Sequence, residues 1–184
     1  MISNLLTLTR IALAVPLFWL LQSDGSYHRW AALCVFLLAG LTDVADGYLA
    51  RRLGQTSAFG AMFDLLADRL LTLALVAAFI AHGQLTGLMT AVVLVLVVRD
   101  FVVAGLNEAL PGRLDIQVGL LERIKITCQF FGFGFLIVPD FRLPDVSLYA
   151  NSFGVVVLMV AAVVALVSLV DYAARARKAF AAAA

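Results

Sequence analysis

The chain has 184 residues, of which 64% are hydrophobic and 14% are charged, and its formal net charge is +1. Apolar runs of about twenty residues recur along it, which is the length that a helix needs to cross a hydrocarbon core. The net charge near zero and the lack of a basic stripe exclude a nucleic-acid partner. We therefore expect an all-α, polytopic integral membrane protein.

Polar residues, glycines and prolines divide the sequence into six apolar segments, each predicted to be a transmembrane helix. Because the connections between them are short, residues 1–184 are expected to form a single membrane domain. The predicted helices run from Leu5 to Leu21, Trp30 to Arg52, Ala58 to Ala81, Leu85 to Leu110, Val118 to Val138 and Ser147 to Tyr172.

Basic residues are concentrated at one end of these helices, whereas only Arg29 and Arg142 fall at the other end. Lysine and arginine are enriched on the cytoplasmic side of membrane proteins, and an even number of crossings leaves both termini on the same side. We therefore expect cytoplasmic termini in an inner-membrane protein. The residues at the cytoplasmic end are Arg51, Arg52, Arg113, Arg123, Lys125, Arg175, Arg177 and Lys178.

Four aspartates, Asp43, Asp46, Asp64 and Asp68, lie at the cytoplasmic ends of the second and third predicted helices. Charges of one sign in a membrane segment are costly, so four carboxylates together require a cation. Residues three or four apart share a face of a helix, so each pair of aspartates lies on one stripe, and the short turn makes the two stripes face each other. Small residues on the same stripes are Gly47, Ala50 and Gly60.

Carboxylate oxygens are the preferred ligands of Mg²⁺, Mn²⁺ and Ca²⁺, and this set can hold one or two such ions beside a substrate phosphate. The small residues allow close helix packing or the approach of a flat ligand. Arg51 is placed to bind a phosphate or to cap the acidic cluster. Two other interpretations remain open: a structural cluster neutralised by Arg51, Arg69 and Arg99, or the ion site of a transporter.

From Asp43 to Asp68 the sequence reads D-x-x-D-G-x-x-A-R, eight further residues, and G-x-x-x-D-x-x-x-D. This pattern resembles the signature of the CDP-alcohol phosphatidyltransferases. The segments from Asn4 to Arg10, Arg99 to Glu108 and Leu121 to Gln129 are similar to the bacterial phosphatidylglycerophosphate synthase branch of that family.

The resemblance implies a metal-dependent enzyme that moves a phosphatidyl group from CDP-diacylglycerol to an alcohol and releases CMP. It implies that Asp43, Asp46 and Asp64 bind Mg²⁺ or Mn²⁺, and that Asp68 binds a second ion and acts as general base. It also implies a homodimer. The residues expected to hold the CDP group are Gly47, Ala50, Arg51 and Gly60.

The expected acceptor is glycerol 3-phosphate, which would give phosphatidylglycerophosphate. Its phosphate requires cations at the cytoplasmic surface, and Arg99, Arg123 and Lys125 are the available set. The same chemistry with phosphatidylglycerol, giving cardiolipin, or with inositol phosphate remains an alternative. An ion-coupled transporter is the alternative from a different class.

Overall fold

The computed structural model of the chain describes residues 2–53, 58–109, 119–138 and 144–181. Within these ranges the side chains at 2–6, 44–62, 64, 65, 107–109, 144–147 and 179–181 lie outside the description. The described residues form six α-helices and contain no strand, so the all-α prediction is confirmed. The helices are α1 (Ile2–Gln22), α2 (Ser26–Leu53), α3 (Ala58–Ala81), α4 (Leu88–Ala109), α5 (Leu120–Ile137) and α6 (Pro144–Ala181).

Every helix except α3 has boundaries that differ from the prediction, and at two of them the difference has a clear local reason. The fourth helix begins at Leu88 rather than Leu85, because the turn before it contains Gly83 at φ 75° and Gly87 at φ 54°. These left-handed conformations cost little at glycine and do not continue a helix. The sixth helix continues past Tyr172, because the alanines and arginines that follow are strong helix formers.

Two of the described helical stretches are long and apolar enough to cross a membrane, Leu88–Leu106 and Leu148–Lys178. The second of these buries Leu158, Ala161 and Ala165 on one face and exposes a stripe of valines on another. Side chains three and four residues apart share a helix face, so the stripe is a continuous apolar surface that water would not stabilise. The chain is therefore a membrane protein. The exposed valines are Val156, Val160, Val163, Val167 and Val170.

The first compact unit comprises Met1–Thr86 and Gly134–Asn151. Within it, α1 packs against both α2 and α3. Fully buried apolar side chains from these helices, including Leu17, Phe36 and Phe79, fill the space between them. This packing places one face of α1 beside the helices that carry the four aspartates.

A polar cluster closes the end of this unit that is far from the aspartates along α2 and α3. The Arg29 guanidinium donates to Gln84 Oε1 at 2.8 Å and to the Leu136 carbonyl at 3.3 Å. The Gln84 amide donates to the same carbonyl at 2.6 Å and to Asn151 Oδ1 at 3.2 Å. Since the last carbonyls of a helix have no partner within it, these donors satisfy the end of α5. A cavity of about 240 Å³ lies beside the cluster.

The second compact unit comprises Gly87–Phe133 and Ser152–Ala184. Its core is formed by buried aliphatic residues such as Val93, Leu96 and Leu158. At Gly132 of α5, an added Cβ would lie 2.7 Å from Leu158 Cγ and 3.3 Å from the carbonyl oxygen of Gly154. The missing side chain therefore allows the close approach of α5 and α6.

This contact predicts that Gly132→Ala destabilises the protein by about 1–3 kcal/mol, because the fully buried Leu158 cannot move aside without strain. Gly105 is the matched control, since it is exposed on α4 and an added Cβ there would meet nothing within 4 Å. Gly105→Ala should raise stability by about 0.5–1 kcal/mol through helix propensity. Thermal unfolding of the purified protein in one detergent measures both, and equal midpoints for the two variants would contradict the packing argument.

Candidate functional site

The four signature aspartates lie on the two helices where the sequence placed them, Asp43 and Asp46 on α2 and Asp64 and Asp68 on α3. The structure describes the side chains of Asp43 and Asp68. The assigned roles of the remaining signature residues concern side chains outside the described part, and they stay predictions. These residues are Asp46, Gly47, Ala50, Arg51, Gly60 and Asp64.

A buried arginine of α1 contacts both described aspartates. Arg10 has a side chain that is only 1% exposed, and its Nη2 lies 2.7 Å from Asp43 Oδ1. Its Nη1 lies 4.0 Å from Asp68 Oδ1. One guanidinium therefore joins carboxylates from two different helices, and its positive charge offsets part of the repulsion between them.

The two aspartates differ in their surroundings. The Asp43 side chain is 44% exposed and is tightly paired with Arg10, whereas the Asp68 side chain is 67% exposed and lies farther from the guanidinium. A soluble reactant reaches Asp68 more easily than Asp43. In position and accessibility, Asp68 is the better candidate for accepting a proton from such a reactant.

The donor set fits a hard divalent cation. Asp43 on α2 and Asp68 on α3 bring their carboxylates to the same buried guanidinium, and carboxylate oxygens are the ligands that such cations prefer. Among the described side chains, no three acidic, histidine or cysteine residues are close enough to form a complete metal site. The described pair supplies two of the four predicted ligands.

A second ionic cluster lies in the other compact unit, and we call it the α4–α6 network: Arg99, Asp100, Glu122, Lys125 and Ser168. Arg99 binds Glu122 through two parallel hydrogen bonds, from Nη1 to Oε1 at 3.0 Å and from Nη2 to Oε2 at 2.6 Å. It also donates to Asp100 at 3.0 Å. Lys125 donates to Asp100 at 2.5 Å and contacts Glu122 at 3.0 Å. These bonds connect the side chains of α4 and α5.

The α4–α6 network holds two cations and two carboxylates, so its formal charges cancel. Arg99 and Lys125 are 2% and 3% exposed, and a buried charge is tolerated only when it is paired and hydrogen-bonded. Arg99 Nε is buried and has no hydrogen-bond partner among the described residues. One guanidinium donor of the network is therefore unsatisfied in the described structure.

The three cations predicted to bind the acceptor phosphate differ in their exposure to solvent. Arg99 and Lys125 are buried within the α4–α6 network, whereas the side chain of Arg123 is exposed on α5. Within the described part of the chain, the Arg123 side chain makes no ion pair. The structural interpretation of the aspartate cluster predicts that Arg99 neutralises it, whereas the carboxylate partners of Arg99 among the described residues are Asp100 and Glu122.

Arg10 is the site residue that analysis of the sequence did not assign. It lies inside an apolar helix, where a single basic residue gives no indication of its partner. A signal was nevertheless available, because an arginine within an apolar helix requires a counter-charge, and the first acidic residues after it that lie within a helix are Asp43 and Asp46.

Comparison with known proteins defines the class to which this fold and site belong. The chain belongs to the CDP-alcohol phosphatidyltransferase family, whose model matches residues 1–176. It is therefore a transferase, and the match extends over both compact units.

Individual members of the family are similar to this chain over almost its whole length. The chain is 28% identical over 170 residues to the CDP-diacylglycerol–glycerol-3-phosphate 3-phosphatidyltransferase of Rickettsia typhi, covering 92% of this chain and 93% of the relative. It is 29% identical over 180 residues to the protein of the same name from Escherichia coli strain K12, covering 96% of this chain and 94% of the relative.

The Arg10 contacts predict that Arg10→Met destabilises the metal-free protein by about 1.5–3 kcal/mol, because it removes a charged partner from two carboxylates that are only partly exposed to water. Added Mg²⁺ should recover part of this loss. Thermal unfolding midpoints measured in EDTA and in Mg²⁺ provide the readout.

The control is Arg175→Met, because Arg175 forms an exposed pair with Asp171 at 2.6 Å, of a kind worth about 1 kcal/mol or less. If Arg10→Met lowers the midpoint no more than Arg175→Met does, Arg10 is not the counter-ion of the aspartates.

Proposed function

We propose that this chain transfers the phosphatidyl group of CDP-diacylglycerol to a hydroxyl of glycerol 3-phosphate, forming phosphatidylglycerophosphate and releasing CMP. The observation that carries the proposal is the complete signature from Asp43 to Asp68 in a chain that the family model matches over residues 1–176. The choice of acceptor is supported by the names of relatives that align with more than nine-tenths of the chain.

We propose that Asp43, Asp46, Asp64 and Asp68 hold one or two Mg²⁺ or Mn²⁺ ions. The convergence of Asp43 and Asp68 on the Arg10 guanidinium supports this assignment. When bound, the cations would neutralise the phosphate oxygens and the charge that develops on the departing CMP. Arg10 contacts Asp43 on α2 and Asp68 on α3, and so brings two of the proposed ligands to one guanidinium.

Asp68 is the proposed general base. Its carboxylate takes the proton of the acceptor hydroxyl as the hydroxyl oxygen forms a bond to the phosphatidyl phosphorus and the bond from that phosphorus to CMP breaks. The 67% exposure of its side chain supports this role, because a water-soluble acceptor must reach it.

The proposed CDP-binding residues are Gly47, Ala50, Arg51 and Gly60, which lie on α2 and α3 with the aspartates. Without bulky side chains, the glycines and the alanine let the nucleotide approach the helix backbone. Arg51 supplies a positive charge for a phosphate.

Arg99, Arg123 and Lys125 are the proposed cations for the acceptor phosphate. The Nε–H of Arg99, which has no hydrogen-bond partner in the described part of the chain, supports this role, and so does the exposure of Arg123. Because the other charges of the α4–α6 network cancel, Arg123 is the cation best placed to compensate the added charge of a phosphate.

The proposed setting is an inner membrane that all six helices cross, with both termini and the active site at the cytoplasmic face. The distribution of lysine and arginine supports this orientation. Exposed aromatic side chains support an interface at the other face, since Trp19, Tyr27, Trp30 and Tyr149 lie at the corresponding helix ends. Resemblance to the family supports a homodimer in which residues 1–184 act as one domain.

The central test is CMP release by the purified protein supplied with CDP-diacylglycerol, glycerol 3-phosphate and Mg²⁺. Asp68→Asn should lower kcat by about 100-fold or more, because the amide cannot accept the proton. Asp171→Asn is the control, since Asp171 is exposed on α6 and pairs only with a surface arginine in the described structure.

Other outcomes of this assay would support one of the alternative functions. CMP release that depends on phosphatidylglycerol or inositol phosphate, and not on glycerol 3-phosphate, would replace the proposed acceptor. Ion flux in liposomes without CMP release from any alcohol would favour a transporter.

The exposure of Arg123 predicts a selective effect on the acceptor. Arg123→Gln should raise KM for glycerol 3-phosphate about tenfold by removing a charged hydrogen-bond donor, while the unfolding midpoint stays unchanged. Arg177→Gln, at an exposed position of α6, is the matched control. An unchanged KM in Arg123→Gln would assign Arg123 to membrane anchoring.

A further inference from the structure

Helix α6 supplies a hydroxyl group to the buried guanidinium of Arg99. Ser168 accepts a hydrogen bond of 2.7 Å from Arg99 Nη2, and its own hydroxyl donates to the Ala165 carbonyl at 2.9 Å. Because the hydroxyl proton is committed to that carbonyl, an oxygen lone pair is directed at Arg99. The Ser168 side chain is thereby fixed as an acceptor.

The same helix also contacts the face of this guanidinium. Arg99 Cζ lies 5.3 Å from the centroid of the Tyr172 ring, within the distance at which a cation is attracted to an aromatic face. Ser168 and Tyr172 are four residues apart and therefore lie on the same side of α6. The hydrogen bond to Ser168 restrains one edge of the guanidinium, and the contact with the Tyr172 ring restrains its plane.

Ser168 is a polar residue on an otherwise apolar face of α6. Ser168 is 4% exposed and continues the buried face formed by Leu158, Ala161 and Ala165, which is otherwise apolar. A hydroxyl on such a face is costly unless it is hydrogen-bonded, and its partner here is a residue with a proposed role in binding the acceptor.

We propose that Ser168 and Tyr172 are positioning residues that orient Arg99 for recognition of the acceptor phosphate; this inference rests on the proposed function. Glu122, Asp100 and Ser168 occupy the terminal nitrogens of Arg99, so the buried Nε is its one donor without a partner among the described residues, and we assign this donor to the acceptor phosphate. The direction of Nε–H depends on the plane of the guanidinium. Ser168 and Tyr172 fix that plane from α6, so this helix contributes to acceptor specificity without touching the acceptor.

The test compares steady-state constants for both substrates in Ser168→Ala, Tyr172→Leu and Tyr172→Phe. The first two variants should raise KM for glycerol 3-phosphate about tenfold, the size expected for losing a bond to a charged group. KM for CDP-diacylglycerol and kcat should stay within about twofold. Tyr172→Phe keeps the aromatic face and should retain most of the acceptor affinity.

Val163→Ala is the matched control, because this residue of α6 is 62% exposed on the valine stripe. A purely structural role would lower the unfolding midpoint and the amount of active enzyme but leave both KM values at the wild-type level, and this result would overturn the inference. A KM for glycerol 3-phosphate that is as high in Tyr172→Phe as in Tyr172→Leu would overturn the role of the ring.

Failure of the proposed function would give a different result from failure of this inference. If the wild-type protein uses another alcohol, the proposed acceptor is wrong, and the same variants are then measured with that alcohol. A selective rise in its KM supports positioning by α6, whereas unchanged values contradict it. If no alcohol supports CMP release, both the proposed function and this inference are wrong.

Discussion

A charge surrounded by apolar side chains must meet its counter-charge at contact distance, and in this protein the partners come from different helices. Arg10 of α1 reaches Asp43 of α2, and Arg99 of α4 reaches Glu122 of α5. Apolar contacts between membrane helices tolerate many rotations and shifts, because lipid tails are as apolar as the helices themselves. Ion pairs do not tolerate such rotations and shifts, because a rotation of α1 or α5 would leave a charge without its partner.

The two clusters use this constraint for different chemistry. The aspartate cluster brings the carboxylates of Asp43 and Asp68 to one buried guanidinium, and the proposed divalent-cation site rests on this arrangement. The α4–α6 network is balanced, so its carboxylates serve to hold Arg99 and Lys125 in defined orientations. The proposed metal-associated diphosphate requires carboxylates that gather around a cation. The proposed phosphorylated alcohol requires cations that are held in defined directions.

Much of the architecture could be predicted from the sequence because hydropathy and short-range spacing determine it. Six apolar segments were predicted to be helices, the described residues form six helices, and α3 has the predicted bounds from Ala58 to Ala81. The spacing from Asp43 to Asp68 indicated the family that the comparison then showed. Arg99 is buried, as expected for an arginine that follows a long apolar run.

Contacts between distant segments could not be predicted in the same way. Arg10 and Asp43 lie on separate helices, and no periodicity relates them. Ser168 lies within a valine-rich and alanine-rich run, where a single hydroxyl is indistinguishable from ordinary helix packing until Arg99 is found beside it. The start of α4 depended on left-handed glycines, whose conformation follows from the turn as a whole.

The pairing of Arg10 also bears on the order in which the chain can fold. Helix α1 precedes α2 and α3 in the chain, so during synthesis Arg10 exists before its carboxylate partners Asp43 and Asp68. A buried arginine without a counter-charge is costly. The final packing of α1 is therefore reached only after α2 and α3 have been made.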